Sequence, residues 1–198
     1  QANRITALIN ESIKDYVKVY KDFFNKEFCK DVIAELQDNN WETHSFYMPD
    51  KKKYVSFDNE LAVSFNTKDR CSLRLNDRIW DAINQYITVD LKGFESWFNG
   101  WNGYTQARFN KYVVGTTMKE HCDHIHTVFD GERKGIPVLS IVGALNEDYE
   151  GGDFIMWETE KIKLPQGSIM IFPSNFMYPH KVTPVTSGTR YSYVSWTY

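Results

Sequence analysis

The sequence predicts an α+β protein, with one β core of the sandwich or jelly-roll kind braced by helices from its N-terminal half. Three observations carry this. At 198 residues the chain fits a single domain. Before about residue 100, apolar residues recur at helical spacing. After Gly103 the pattern changes to short extended segments separated by turn residues. We therefore expect one domain over 1–198, with a helical support region over about 1–102 and a β core over about 103–198.

The first elements follow from their spacing. Phe28, Cys29, Val32, Ile33 and Leu36 form an apolar stripe that predicts a helix over Asn25–Gln37, with Asn25 as N-cap. Leu73, Leu75, Ile79, Trp80, Ile83 and Ile87 predict a second helix over about 69–90. Val17 and Val19 alternate with Tyr16, Lys18 and Tyr20 and read as a short strand or extended entry segment. About eight strands are expected beyond Gly103: 104–114, 117–123, 137–145, 153–157, 160–164, 168–172, 180–184 and 189–197. Gly115, a polar loop ending at Gly135, Gly151-Gly152, Pro165-Gln166-Gly167, Pro173 and Ser187-Gly188 separate them.

Composition removes several classes of function. A net charge of -3 gives no general pull toward nucleic acid or anionic membrane, and Lys51-Lys52-Lys53 reads as a solvated turn. No apolar run approaches the length of a membrane span. Cys29, Cys71 and Cys122 are odd in number and lack CxxC spacing, which argues against a disulfide framework or a thiolate zinc site. A cytoplasmic, reducing setting is the expectation.

The chemistry concentrates at His121-Cys122-Asp123-His124-Ile125-His126. In a strand, residues i and i+2 share a face, so His121 and Asp123 can converge while Cys122 points away as a buried spacer. His180 opens a late strand and Arg190 the last one. Two imidazoles and one carboxylate form a facial triad, a set that suits non-haem Fe(II) and leaves coordination positions open. A structural zinc site would instead be closed by four ligands. An inward Arg190, with Ser192 on the same face, can hold the far carboxylate of a 2-oxo acid, and Tyr112 could offer a phenol from the opposite wall.

The segments FNKYVVGTTMKEHCD (109–123), LNEDYEGGDF (145–154) and LPQGSIMIFPSNFMYPHKVTPVTSGTRYSYVSW (164–196) resemble the prolyl-hydroxylase-like branch of the 2-oxoglutarate/Fe(II) dioxygenases, most of all the PKHD-type hydroxylases. VYKDFFNKEFCKDVIAEL (19–36) is similar to that family's helical lead-in. The resemblance implies a double-stranded β-helix, Fe(II) on His121, Asp123 and His180, and 2-oxoglutarate on Arg190 with help from Tyr112. It also implies dioxygen as oxidant, with ascorbate as an accessory. Many prolyl 4-hydroxylases carry Lys where this chain has Arg190, a departure that leans toward the PKHD-like subgroup. The expected substrate is a peptide or protein side chain, proline first; the alternative is a small molecule, hydroxylated or N-demethylated at the same iron. Arg190 argues against a non-catalytic metal-binding module, and Asp123 against halogenation.

Other residues carry plainer expectations. His124 and His126 read as rim residues before ligands or substrate contacts, and His124–Gly135 as either a lid or an ordinary surface loop. Trp97, Phe98 and Trp101 read as packing residues that could border a groove, Trp196 as a further aromatic near the mouth, and His44 as a surface residue. Arg108 shares a face with Tyr112 and is the second choice for the co-substrate carboxylate.

Overall fold

The computed structural model describes residues 12–48, 50–98, 103–123 and 137–198. The first helix, α1 (Lys26–Glu35), is capped by Asn25, whose side chain accepts from the Phe28 N–H at 2.8 Å. The second, α2 (Arg70–Gln85), continues into a π-helical turn over Tyr86–Asp90. Its buried face is Ser72, Leu75, Ile79, Ala82 and Ile83, at helical spacing. Leu73 and Trp80, expected on that stripe, are 41% and 46% exposed, because they lie one position off the buried row. Glu35 of α1 accepts from the Cys71 and Ser72 N–H groups, so one helix caps the next.

Fifteen strands are assigned among the described residues. The expected entry segment is β1 (Lys18–Tyr20). The eight strands expected after Gly103 are present as β6 (Arg108–Tyr112), β7 (Met118–His121), β8 (Leu139–Ala144), β10 (Phe154–Met156), β11 (Glu160–Ile162), β12 (Ile169–Pro173), β13 (His180–Val182) and β15 (Arg190–Trp196). Two-residue β9 (Glu150–Gly151) and β14 (Val185–Ser187) form a small additional pair.

The N-terminal half is less helical than its periodicity suggests. It also supplies β2 (Glu42–Thr43), β3 (Phe46–Met48), β4 (Lys53–Val55) and β5 (Ala62–Phe65). These are two to four residues long, too short for alternation to show.

The main sheet runs β1-β12-β8-β15-β6-β5-β2, so its edge beyond β6 comes from the N-terminal half. A second sheet runs β11-β10-β13-β7 and faces it. Every pairing within these two sheets is antiparallel. Alternation sorts the main sheet into two faces. Phe109, Ile141, Ile169, Ile171 and Tyr193 pack against the helices. Tyr112, Val142, Met170 and Phe172 turn to the second sheet, where they meet Met118, Phe154, Met156 and Val182. The cavity lies in that inter-sheet layer.

Candidate metal and co-substrate site

Strand β7 ends at His121, and Asp123 follows two residues later, just outside the strand. Opposite, His180 starts β13 and is the register partner of His121. The two imidazole centroids are 4.4 Å apart. Asp123 Oδ1 is 3.4 Å from His121 Nε2 and 3.6 Å from His180 Nε2. One ligand atom from each residue lies within 4.8 Å of the others, a spacing at which all three could hold one metal ion. The sequence placed both proximal residues within a strand; the structure brings them together with Asp123 in the segment after it.

The atoms facing away from this focus are all engaged. His121 Nδ1 is 2.7 Å from the Lys119 carbonyl, and His180 Nδ1 is 3.0 Å from that of Tyr178. A carbonyl can only accept, so each Nδ1 carries the proton and each Nε2 of the neutral ring presents a lone pair. Asp123 Oδ2 accepts from Ser140 Oγ at 2.6 Å and Trp196 Nε1 at 2.9 Å, leaving Oδ1 for the focus. His180 is pinned between rings, stacked on Phe154 and edge-on to Phe172. The donor set, its convergence and its outer hydrogen bonds fit a non-haem Fe(II) ion.

The three side chains also act on one another's charges. Burial opposes ionisation of Asp123, but His180, His121 and the Ser140 hydrogen bond hold it far below the usual carboxylate range. Burial depresses His180. Burial is the largest single influence on His121 and works against its charge, but the hydrogen bond and negative charge of Asp123 together with the Lys119 carbonyl outweigh it and lift that imidazole.

The other wall comes from β6 and β15. Arg190 pairs in register with Tyr112, Ser192 with Asn110, and Val194 with Arg108. Alternation turns Arg108, Asn110 and Tyr112 into the cavity beside Arg190, Ser192, Val194 and Trp196. Arg190 is 3% exposed, donates to Ser192 Oγ at 3.0 Å and lies over the Tyr112 ring at 4.8 Å. Among the described residues it forms no ion pair, so an incoming carboxylate meets a buried cation without a competitor. Gly152 has φ +60, and a Cβ there would come within 3.0 Å of Arg190 Cδ, so the glycine turn also makes room for this side chain.

Residues 107–198 match the family model described as the 2OG-Fe(II) oxygenase superfamily. The β core carries this superfamily's pattern. A PKHD-type hydroxylase of Shewanella oneidensis is 39% identical over 93 residues, covering 44% of this chain and 40% of that protein. One from Delftia acidovorans is 34% identical over 99 residues, covering 46% and 42%. The chain thus spans about 40% of the length of the curated relatives it matches. In fold it is similar to a Pseudomonas putida prolyl-4-hydroxylase, at TM-score 0.63 and 16% identity, over 99% of this chain and 97% of that one. It is also similar to a Trichoplax adhaerens prolyl hydroxylase in complex with a hypoxia inducible factor peptide fragment, at TM-score 0.64 and 17% identity, over 100% and 92%. The architecture is the jelly roll of the 2-oxoglutarate oxygenases.

Several residues stand differently from their sequence expectation. His44 is not on the surface: it is 7% exposed, 3.2 Å from Glu60 and against Phe46, which in turn packs on His121. Cys122 is half-buried, with its thiol 3.5 Å from the Phe176 carbonyl, and burial pushes that thiol up. Phe98, by contrast, packs against the helix-side core as its sequence reading expects. Trp101, His124, His126 and all of 124–135 lie outside the described residues, as does the side chain of Trp97. Ser140 was missed; its signal is one hydroxyl inside the apolar run of β8. Trp196, read as a mouth aromatic, is fixed by its bond to Asp123 and has the Arg108 guanidinium over its ring at 5.2 Å.

Proposed function

We propose that this protein is an Fe(II)- and 2-oxoglutarate-dependent hydroxylase of an unactivated C–H bond, with the side chain of a peptide or protein, proline first, as its substrate. The observation that carries the reading is the pairing of a preset His121–Asp123–His180 focus with the buried Arg190 on the facing wall, which forms no ion pair among the described residues. Iron, 2-oxoglutarate and dioxygen would supply the oxidising power when bound, with succinate and carbon dioxide as co-products.

The chain's own residues do the rest. His121, Asp123 and His180 hold the metal, and the Lys119 and Tyr178 carbonyls keep both rings in the metal-binding tautomer. Ser140 and Trp196 aim the Asp123 carboxylate. Arg190 takes the far carboxylate of the co-substrate, Ser192 orients that guanidinium, and Tyr112 stacks beneath it. Met118, Val142, Phe154 and Val182 keep the metal's surroundings dry. We place the protein in the cytoplasm, in keeping with its three unpaired cysteines. No described helix is long and apolar enough to cross a membrane. The peptide choice draws on the Trichoplax adhaerens neighbour, which is in complex with a peptide fragment.

The test is succinate release from the purified chain with Fe(II) and 2-oxoglutarate, over proline-rich peptides and free amino acids, with mass spectrometry of the substrate. The reading expects succinate matched by gain of one oxygen on a peptide. Stimulation by a free metabolite alone would overturn the peptide choice and leave the iron site standing; loss of a methyl group from the substrate would mark the N-demethylase alternative. Failure to bind 2-oxoglutarate at all would overturn the enzyme reading.

A further inference from the structure

Arg108 is a second guanidinium in the same cavity, and nothing in the site described so far uses it. It stands two residues beyond Asn110 and four beyond Tyr112 on the cavity face of β6, roughly 13 Å along the strand from the Tyr112–Arg190 pair. Its Nε is buried and has no hydrogen-bond partner among the described residues. Among the described residues no carboxylate forms an ion pair with it. The nearby Asp123 does not serve, since Oδ2 is taken by Ser140 and Trp196 while Oδ1 faces the two imidazoles. Burial works against the charge of Arg108, an expense that an incoming anion would offset. Beside it, Asn110 is 2% exposed and its Oδ1 is a buried acceptor with no donor among the described residues.

Buried polar groups without partners are rare in folded proteins, and two neighbours on one strand face, both turned into a ligand cavity, point to a ligand. The co-substrate cannot be that ligand. Under the reading above, one carboxylate of 2-oxoglutarate belongs to the metal and the other to Arg190, so neither is left for Arg108. We propose that Arg108 and Asn110 form a subsite for the primary substrate: Arg108 pairs with a carboxylate it carries, and Asn110 Oδ1 accepts from a neighbouring N–H. The chemistry is that of an amino-acid unit with a free carboxylate, either a free amino acid or the C-terminal residue of a peptide. Trp196 lies against the guanidinium from one side, its ring centroid 5.2 Å from Arg108 Cζ, which leaves the other edges of the group for a two-pronged pairing with carboxylate. The inference rests on the iron and 2-oxoglutarate reading for its place in the reaction.

The test needs no known substrate. The chain is loaded with manganese(II) and saturated with 2-oxoglutarate, and trifluoroacetate is added as a carboxylate probe. Its fluorine relaxation is measured, with a zinc(II)-loaded sample as the diamagnetic control. A probe carboxylate docked near the metal relaxes faster in the manganese sample. Arg108→Gln should cut that excess roughly tenfold, the scale of one charge-assisted pair, while Arg108→Lys keeps most of it. Calorimetry on the same samples should show unchanged 2-oxoglutarate affinity in Arg108→Gln. No excess relaxation in the wild type, or an undiminished excess in Arg108→Gln, overturns the subsite. A loss of 2-oxoglutarate affinity in Arg108→Gln also overturns it, because Arg108 is then the co-substrate's anchor. A wild-type chain that binds metal but not 2-oxoglutarate sinks the parent reading instead, and the probe result still decides Arg108. Succinate release with proline against prolinamide, and with peptides ending in carboxylate against amide, separates the two sources. Equal stimulation by acid and amide would contradict the proposal.

Discussion

The two walls of the cavity treat their polar atoms in opposite ways. On the wall from β7, β13 and the segment after β7, every outward atom of the metal-facing residues has a partner, and only the converging atoms are left over. On the wall from β6 and β15, Arg190 and Arg108 form no ion pair among the described residues, and among the same residues Arg108 Nε and Asn110 Oδ1 have no hydrogen-bond partner. The first wall is organised before anything binds, as a site for a small ion must be. The second is left polar and incomplete, which costs stability and makes sense where larger anionic molecules complete it.

Breaking the finished wall should have the largest effect. His121→Ala, Asp123→Ala or His180→Ala should abolish turnover, with metal binding read by calorimetry; full activity in His180→Ala would remove that residue from the ligand set. The partners behind the ligands come next. Ser140→Ala or Trp196→Phe should weaken metal binding about 10- to 100-fold, the usual cost of losing an outer hydrogen bond, with the fold intact by circular dichroism. Unchanged affinity in both would mean that Asp123 is aimed by something other than these two bonds.

On the open wall, Arg190→Ala removes one charge-assisted pair and should weaken 2-oxoglutarate about 10- to 100-fold while leaving metal affinity nearly unchanged. A fall in metal affinity instead would dissolve the contrast between the walls.

The smallest effect concerns His44, which lies behind His121 through Phe46. Burial lowers His44 from the usual imidazole value to about 3. The unfolded chain therefore binds this proton first, so stability should fall as pH drops from about 6.5 toward 3. Burial raises the neighbouring Glu60 carboxyl, which works in the opposite direction at the acid end of that window. His44→Gln should flatten the pH dependence of the melting temperature between pH 7 and about 5, above the usual carboxylate range. An unaltered slope there would show that His44 does not carry the acid sensitivity.

The same contrast explains what could be read from the sequence. The eight C-terminal strands were legible because Gly and Pro punctuate them, and the facing residues of β6 and β15 because alternation fixes which side chains share a face. That alternation also lined up Arg108 with Tyr112, although nothing in it says which of two arginines takes the co-substrate. Pairing across strands far apart in sequence was not legible, so Ser140 behind Asp123 and the His44–Glu60 pair behind His121 stayed hidden. The strands β2 to β5 were hidden for another reason: each is too short to show a period, and β5 is a strand chiefly because β6 offers it an edge.

Under the proposed function, one wall holds a metal and the other a 2-oxo dicarboxylate, each through its own residues. Calorimetric titration of 2-oxoglutarate into metal-loaded wild type, His180→Ala and Arg190→Ala tests it most directly. The expected result is a saturable one-to-one complex in the wild type, loss of metal loading in His180→Ala, and normal metal loading with weakened 2-oxoglutarate in Arg190→Ala. Metal-independent 2-oxoglutarate binding of wild-type strength in Arg190→Ala would contradict it.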